Sequence, residues 1–131
     1  MSTIVVAWTP DAFGQVALER GLDEARLREA RLLVVNGTRG DTLVDDHYAS
    51  GAQLERLRSL LADSGVEHEV RQSMGDSVED QILTAAEEAG AELIVLGLRR
   101  RTPVGKLLMG STAQRVLLGA ECAVLAVKPA R

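Results

Sequence analysis

Between positions 97 and 112 the chain reads Gly-Leu-Arg-Arg-Arg-Thr-Pro-Val-Gly-Lys-Leu-Leu-Met-Gly-Ser-Thr. Gly97, Gly105 and Gly110 punctuate this segment, and Arg99, Arg100, Arg101 and Lys106 charge it. An apolar, strand-like run at 93–96 precedes it and a helix-like run follows. A loop and a fresh helix N-terminus therefore stand side by side at the carboxyl end of a buried strand. The first N–H groups of a helix have no partner within it and carry partial positive charge, so the junction offers donors to an anion. Guanidinium groups in the same loop add fixed charge and paired donors that suit phosphate oxygens. The chemistry implied is capture of a phosphate-bearing small molecule. Ser111 and Gln114 have capping-box spacing, so Ser111 is expected to cap the last helix and, from that place, to touch phosphate. The three adjacent arginines suit either phosphate contact or a solvated loop; their mutual repulsion is relieved by a bound anion.

The segment matches neither common phosphate fingerprint. A P-loop needs Gly-x4-Gly-Lys-Ser/Thr, but Arg100 lies five residues before Gly105, and Leu107 follows Lys106. No Gly-x-Gly-x-x-Gly follows the first strand either.

The elements that must position this segment alternate along the chain. Residues 4–8 and 31–36 form short apolar runs rich in β-branched residues, as buried strands do. Helical spacing fills 11–28, where Ala17, Leu18, Gly21, Leu22 and Ala25 share a face. Residues 37–48 are polar and read as a loop. A second helix is expected over 49–64, with Leu54, Leu57 and Leu61 inward and Gly65 as its stop. Residues 66–72 alternate apolar and polar, the pattern of an edge strand. Ser77 with Asp80 opens a third helix whose stripe is Val78, Ile82, Ala85, Ala86 and Ala89, ending at Gly90. The last helix has the stripe Ala113, Val116, Leu117 and Ala120, and 123–127 is a fifth strand. Five strands alternating with four helices predict an α/β fold, a parallel sheet with helices on both faces, as one domain over 1–131. Ligands of such sheets settle beyond the carboxyl ends of the strands where strand order reverses.

Composition closes off other classes. Aromatic residues make up 2% of the 131, so the core is aliphatic and the stacking platforms of single-strand nucleic-acid binders are missing. A net charge of −4 opposes general affinity for nucleic acid or anionic membrane. Cys122 is the only cysteine, which excludes an intrachain disulfide; its apolar neighbours predict a buried, inert thiol. His47 and His68 have no partner at catalytic or metal spacing and are expected at the surface. Asp45, Asp46 and His47 could be grouped as a metal cluster but read as solvated loop residues, and Trp8 reads as a packing residue. Neither a secretory signal pattern nor a membrane-spanning apolar run is visible, so a cytoplasmic location is expected.

The spacing Gly97-x2-Arg100-x9-Gly110-Ser111, in its strand–loop–helix setting, resembles the universal stress protein family, whose nucleotide-binding members carry Gly-x2-Gly-x9-Gly-Ser/Thr there. The likeness extends to Ile4-Val-Val-Ala-Trp, to Gly75-Asp-Ser-Val-Glu-Asp-Gln-Ile, and to Gly110-Ser-Thr-Ala-Gln-Arg-Val-Leu followed by Cys122-Ala-Val-Leu-Ala-Val-Lys-Pro. It implies strand order 3-2-1-4-5, an adenine nucleotide α-hydrolase-like sheet, with ATP or AMP in the crevice and Mg²⁺ accompanying ATP; some members bind cyclic AMP. By position, the phosphates would lie on Gly110, Ser111 and Thr112. Leu96, Gly97, Arg99 and Arg100 would border ribose and phosphates, and adenine would lie near Ala7, Thr9 and Val35. The resemblance also implies a homodimer through the last strand, where Val124, Leu125, Ala126 and Val127 form an apolar sheet edge.

The chain departs from the pattern twice. Arg100 replaces the second glycine, and its side chain either obstructs close approach of a ligand or pairs with phosphate. Thr9 stands where the family usually has aspartate, and Asp11 either substitutes for that carboxylate or caps the first helix. The leading functional reading is a stress-response regulator that binds an adenine nucleotide. It is not an enzyme, since no nucleophile or general base accompanies the loop, and any ATP hydrolysis would be weak and incidental. The alternative is a dimeric interaction module of the same fold, with Arg100 filling the site and no nucleotide bound.

Overall fold

A computed structural model of the chain describes residues 1–38, 48–75, 77–98 and 110–129. Its elements run β1 (Thr3–Ala7), α1 (Ala12–Arg28), β2 (Arg31–Thr38), α2 (Gly51–Asp63), β3 (His68–Met74), α3 (Val78–Ala89), β4 (Leu93–Gly97), α4 (Ser111–Gly119) and β5 (Ala123–Val127). All strand pairs are parallel, in the order β3-β2-β1-β4-β5. The doubly wound sheet expected above is therefore observed.

Ile4, Val5 and Val6 of β1 are each 0% exposed, which a strand achieves only when both of its faces are covered. One face carries Ile4, Val6, Leu32, Val34 and Val95 and packs on Leu18, Leu22, Leu57 and Leu61 of α1 and α2. Val5, Leu33, Val35 and Ile94 point the other way, onto Ile82, Ala85, Ala113 and Val116 of α3 and α4. Because period-2 alternation assigns each residue to one of two cores, every central strand reads as a continuous apolar run.

Several boundaries shift from expectation. β2 continues through Gly37 and Thr38, two residues that had read as loop, because both pair with β3 opposite Ser73 and Met74. α2 starts at Gly51, where Ser50 and Gln53 close a reciprocal capping box absent from the sequence reading. Leu117, expected in the stripe of α4, is 37% exposed, since Ala113 and Val116 alone reach the sheet. Cys122 is half-buried rather than buried. Burial nonetheless pushes its thiol above the ordinary cysteine range, with a backbone hydrogen bond partly opposing, which fits an unreactive side chain. His68 is exposed, as expected, whereas Asp45, Asp46 and His47 lie outside the described residues.

Gly97 closes β4 and is not the first residue of a loop. A Cβ there would fall 2.4 Å from the Phe13 carbonyl oxygen, so the opening turn of α1 rests directly on its backbone. Gly97→Ala is expected to lower unfolding free energy by about 1–3 kcal/mol, as overpacking does. Urea denaturation against the wild type checks this.

Candidate functional site

Strand order reverses between β1 and β4, with β2 and β3 built outward on one side and β5 on the other. Helices leaving the two strands diverge, and a cleft of about 370 Å³ opens at their carboxyl ends. That volume lies within the range of small-molecule sites. Ala7, Thr9, Val35, Leu96, Gly97, Gly110, Ser111 and Thr112, all singled out in the sequence, line it together. Arg99 and Arg100, the other two, lie outside the described residues. The lining also includes Trp8, Asp11, Phe13, Gly37, Val78, Ile82, Leu98 and Ala113. Val78 and Ile82 read as core because they share the apolar stripe of α3; their i, i+4 row runs past the sheet end, so it walls the cleft as well.

The helix ends decide what the cleft can hold. Asp11 caps α1, its Oδ1 accepting from the Gly14 N–H at 3.0 Å and from the Thr9 hydroxyl at 2.6 Å. Of the two roles left open for Asp11, the capping role is observed, and it places a carboxylate on the cleft wall. Ser50 and Ser77 cap α2 and α3 in the same way. α4 differs. Its N-cap is Gly110, and among the described residues no side chain caps its opening turn.

The expected Ser111–Gln114 capping box is therefore corrected. Ser111 is already helical, and the Gln114 N–H bonds to the Gly110 carbonyl at 3.1 Å. Once a residue has turned into the helix, its hydroxyl no longer lies over the following amides, so Ser111 cannot cap them. The opening N–H groups of α4, beside the cleft, keep no side-chain partner among the described residues.

Gly110 has φ −65° and ψ 157°, a conformation open to any residue, and a Cβ built on it meets nothing within 4 Å. Nothing described in the fold demands glycine there. Its bare backbone leaves room for a group approaching the α4 amides, so the residues present fit an anion. The opposite wall is apolar, with Val35, Val78, Ile82 and Leu96. Asp11 is the one ionisable side chain among the described lining residues, and it disfavours an anion at its own end. The lining thus offers helix amides at the start of α4, apolar side chains along the sheet end, and oxygen atoms at Thr9 and Asp11. No cluster of three or more His, Cys, Asp or Glu suited to a metal occurs among the described residues. No described helix is long and apolar enough to cross a membrane.

The sheet is that of the doubly wound α/β proteins, and the cleft lies at the topological switch point, where proteins of that architecture commonly hold small ligands. The model of the universal stress protein family matches residues 1–128. A universal stress protein of Mycolicibacterium smegmatis is 48% identical over 126 residues, covering 96% of this chain and 97% of that one. The solved structure of a universal stress protein from Archaeoglobus fulgidus is 31% identical, covers 98% of both chains, and superposes with a TM-score of 0.81. Another from that organism, solved in complex with dAMP, is 27% identical over 98% of both chains, with a TM-score of 0.73. The chain belongs to the universal stress protein family.

The cap assignments have a direct consequence. Asp11→Ala strands the Gly14 amide and the Thr9 hydroxyl and is expected to cost about 1 kcal/mol of stability. Ser111→Ala removes no cap and is expected to stay within about 0.5 kcal/mol of the wild type. Parallel urea titrations of the two variants distinguish them.

Proposed function

We propose that this protein is a cytoplasmic, stress-responsive regulator that binds an adenine nucleotide, AMP or ATP, in the cleft between the ends of β1 and β4. The observation that carries the reading is the uncapped opening of α4. In α1, α2 and α3 an N-cap side chain accepts from one first-turn amide, whereas α4, which also begins at the cleft, has no such bond among the described residues. A phosphate supplies what is missing there, accepting from the Ser111 and Thr112 amides against the favourable end of the helix dipole. The Asp11 carboxylate sets the orientation by keeping phosphate away from its own part of the cleft. Adenine then lies near Ala7, Thr9 and Val35, on the apolar side, with Gly97 and Leu96 beneath the ribose.

The dAMP complex of the Archaeoglobus fulgidus relative supports this choice of ligand class. In the ATP form, Mg²⁺ would be held chiefly by phosphate oxygens. Arg99 and Arg100, which follow the lining residue Leu98 in sequence, are assigned to the phosphates in this reading, where their fixed charge would suit the anion. The role is binding and not turnover. The one described carboxylate of the cleft is already engaged in a cap, so the described lining residues supply no free base to activate water.

We also propose that the protein is a homodimer joined through β5. The two sheet edges differ in kind. β3 carries His68, Glu69 and Arg71, with Arg71 paired to Glu69 at 3.2 Å and to Glu88 at 3.4 Å. Charge of this sort discourages strand pairing. Val124, Leu125, Ala126 and Val127 of β5 are uncharged, apolar and only half-buried. A two-fold partner would cover them and complete the edge hydrogen bonds of both copies.

Proline at the first helical position is tolerated because the N–H it removes has no helical partner, and Gly110 before it already has the extended backbone that precedes proline. Ser111→Pro is therefore expected to fold normally yet to weaken AMP and ATP binding by roughly tenfold to a hundredfold, the worth of a hydrogen bond to a charged group. Calorimetric titration with AMP, ATP and cyclic AMP, with and without Mg²⁺, reads this directly. A wild type that binds none of them, while Arg100→Gly does, would replace the reading with that of a nucleotide-free module. Light scattering on a sizing column is expected to give the mass of two chains, and Leu125→Lys to give that of one.

A further inference from the structure

At the wall of the cleft, β1 and β2 part company. The Trp8 N–H still bonds to the Val35 carbonyl at 2.9 Å, as the ladder requires. Beyond that point the chain turns away towards α1, and a side chain takes over from the backbone. Asn36, 0% exposed, donates from Nδ2 to the Trp8 carbonyl at 3.0 Å. Its Oδ1 accepts from the Ala49 N–H at 2.8 Å, immediately before the Ser50 cap of α2. Gln72 of β3 closes the cluster, its Nε2 donating to Asn36 Oδ1 at 3.2 Å and to the Ala49 carbonyl at 2.9 Å. One partner of the Asn36 amide is a carbonyl and another a backbone N–H, so only one orientation of that amide satisfies both.

We infer that Asn36 is a positioning residue for the cleft, and that through it a bound ligand tightens the start of α2. The inference rests on the nucleotide reading above. Trp8 lines the cleft and belongs to the core packed under α1 and α2. The Asn36 amide ties its carbonyl to Ala49, so the Trp8 peptide and the α2 entrance share one buried polar group. Moving the Trp8 peptide or the α2 entrance away from Asn36 costs the buried Trp8 carbonyl or the buried Ala49 N–H its hydrogen bond to this side chain, so the two are energetically coupled through it. A ligand resting against the Trp8–Thr9 strand end favours the closed arrangement. By linkage, the closed arrangement must then favour the ligand.

Two features make the test practical. Trp8 is the sole tryptophan, so emission reports the cleft wall alone. The Ala49 amide is a single backbone proton whose exchange can be followed by NMR. In the wild type, AMP is expected to shift the Trp8 emission and to slow exchange at Ala49 several-fold. Asn36→Asp keeps the acceptor but turns an oxygen towards the Trp8 carbonyl; it is expected to weaken AMP binding about tenfold and to abolish the added protection. Gln72→Ala leaves the Trp8 bond in place, so AMP affinity is expected within twofold of the wild type even if its melting temperature falls.

A purely structural Asn36 would lower the melting temperature of Asn36→Asp but leave its AMP affinity unchanged, and that result overturns the inference. AMP binding to the wild type with unaltered exchange at Ala49 overturns it too, without any variant having to fold, and leaves the nucleotide reading standing. If AMP does not bind the wild type at all, the nucleotide reading fails and this inference falls with it.

Discussion

Complete burial of β1 is the constraint from which the remaining architecture follows. A strand with Ile4, Val5 and Val6 all withdrawn from water has no face to spare for solvent. It must sit mid-sheet, with helices above and below, and the chain must cross over after each strand to supply them. Successive crossovers build β2 and β3 on one flank; the remaining strands can then only be added on the other. The crevice is a by-product of that reversal. No residue had to be spent on creating the cavity, only on furnishing it.

The furnishing is a contrast between two helix termini. Both α1 and α4 begin at the cleft, and both begin with unpaired N–H groups. The first is neutralised from within by Asp11, which also takes the Thr9 hydroxyl. The second has no side-chain cap among the described residues and stands behind a glycine whose absent side chain nothing described in the fold explains. Electrostatically the two ends are opposites, although the local backbone pattern is the same. An elongated ligand with one charged end has a single favourable orientation in such a site.

Much of this could be read from residue types. Apolar runs marked four strands, apolar–polar alternation marked the edge strand β3, and helical stripes with Gly65 and Gly90 as stops marked helices, because burial on two faces or one imprints directly on sequence. Eight of the ten residues singled out for the ligand line the cleft, since strand ends and helix starts follow once the elements are known. The failures have physical causes. Ser50 with Gln53 and Ser111 with Gln114 show the same spacing, yet only the former is a capping box. The spacing does not encode which residue keeps an extended backbone, and Gly110 took that role. Gly97 suggested a flexible turn, but its lack of a side chain answers to the Phe13 carbonyl above it. Asn36 gave no signal at all, because the Trp8 carbonyl and Ala49 amide that fix it are distant in the chain and carry no side-chain code.

The unlike borders of the sheet have a consequence for how far assembly can go. A sheet with two apolar margins would recruit a neighbour on each side, each recruit exposing another margin, and growth would continue into a fibre. Here the Arg71, Glu69 and Glu88 charges lie at one margin, and β5, the strand proposed to join two copies, carries apolar residues at the other. Lateral growth that starts at β5 is spent after a single step. The guard against runaway polymerisation is thus built into the far side of the molecule from the strip it protects.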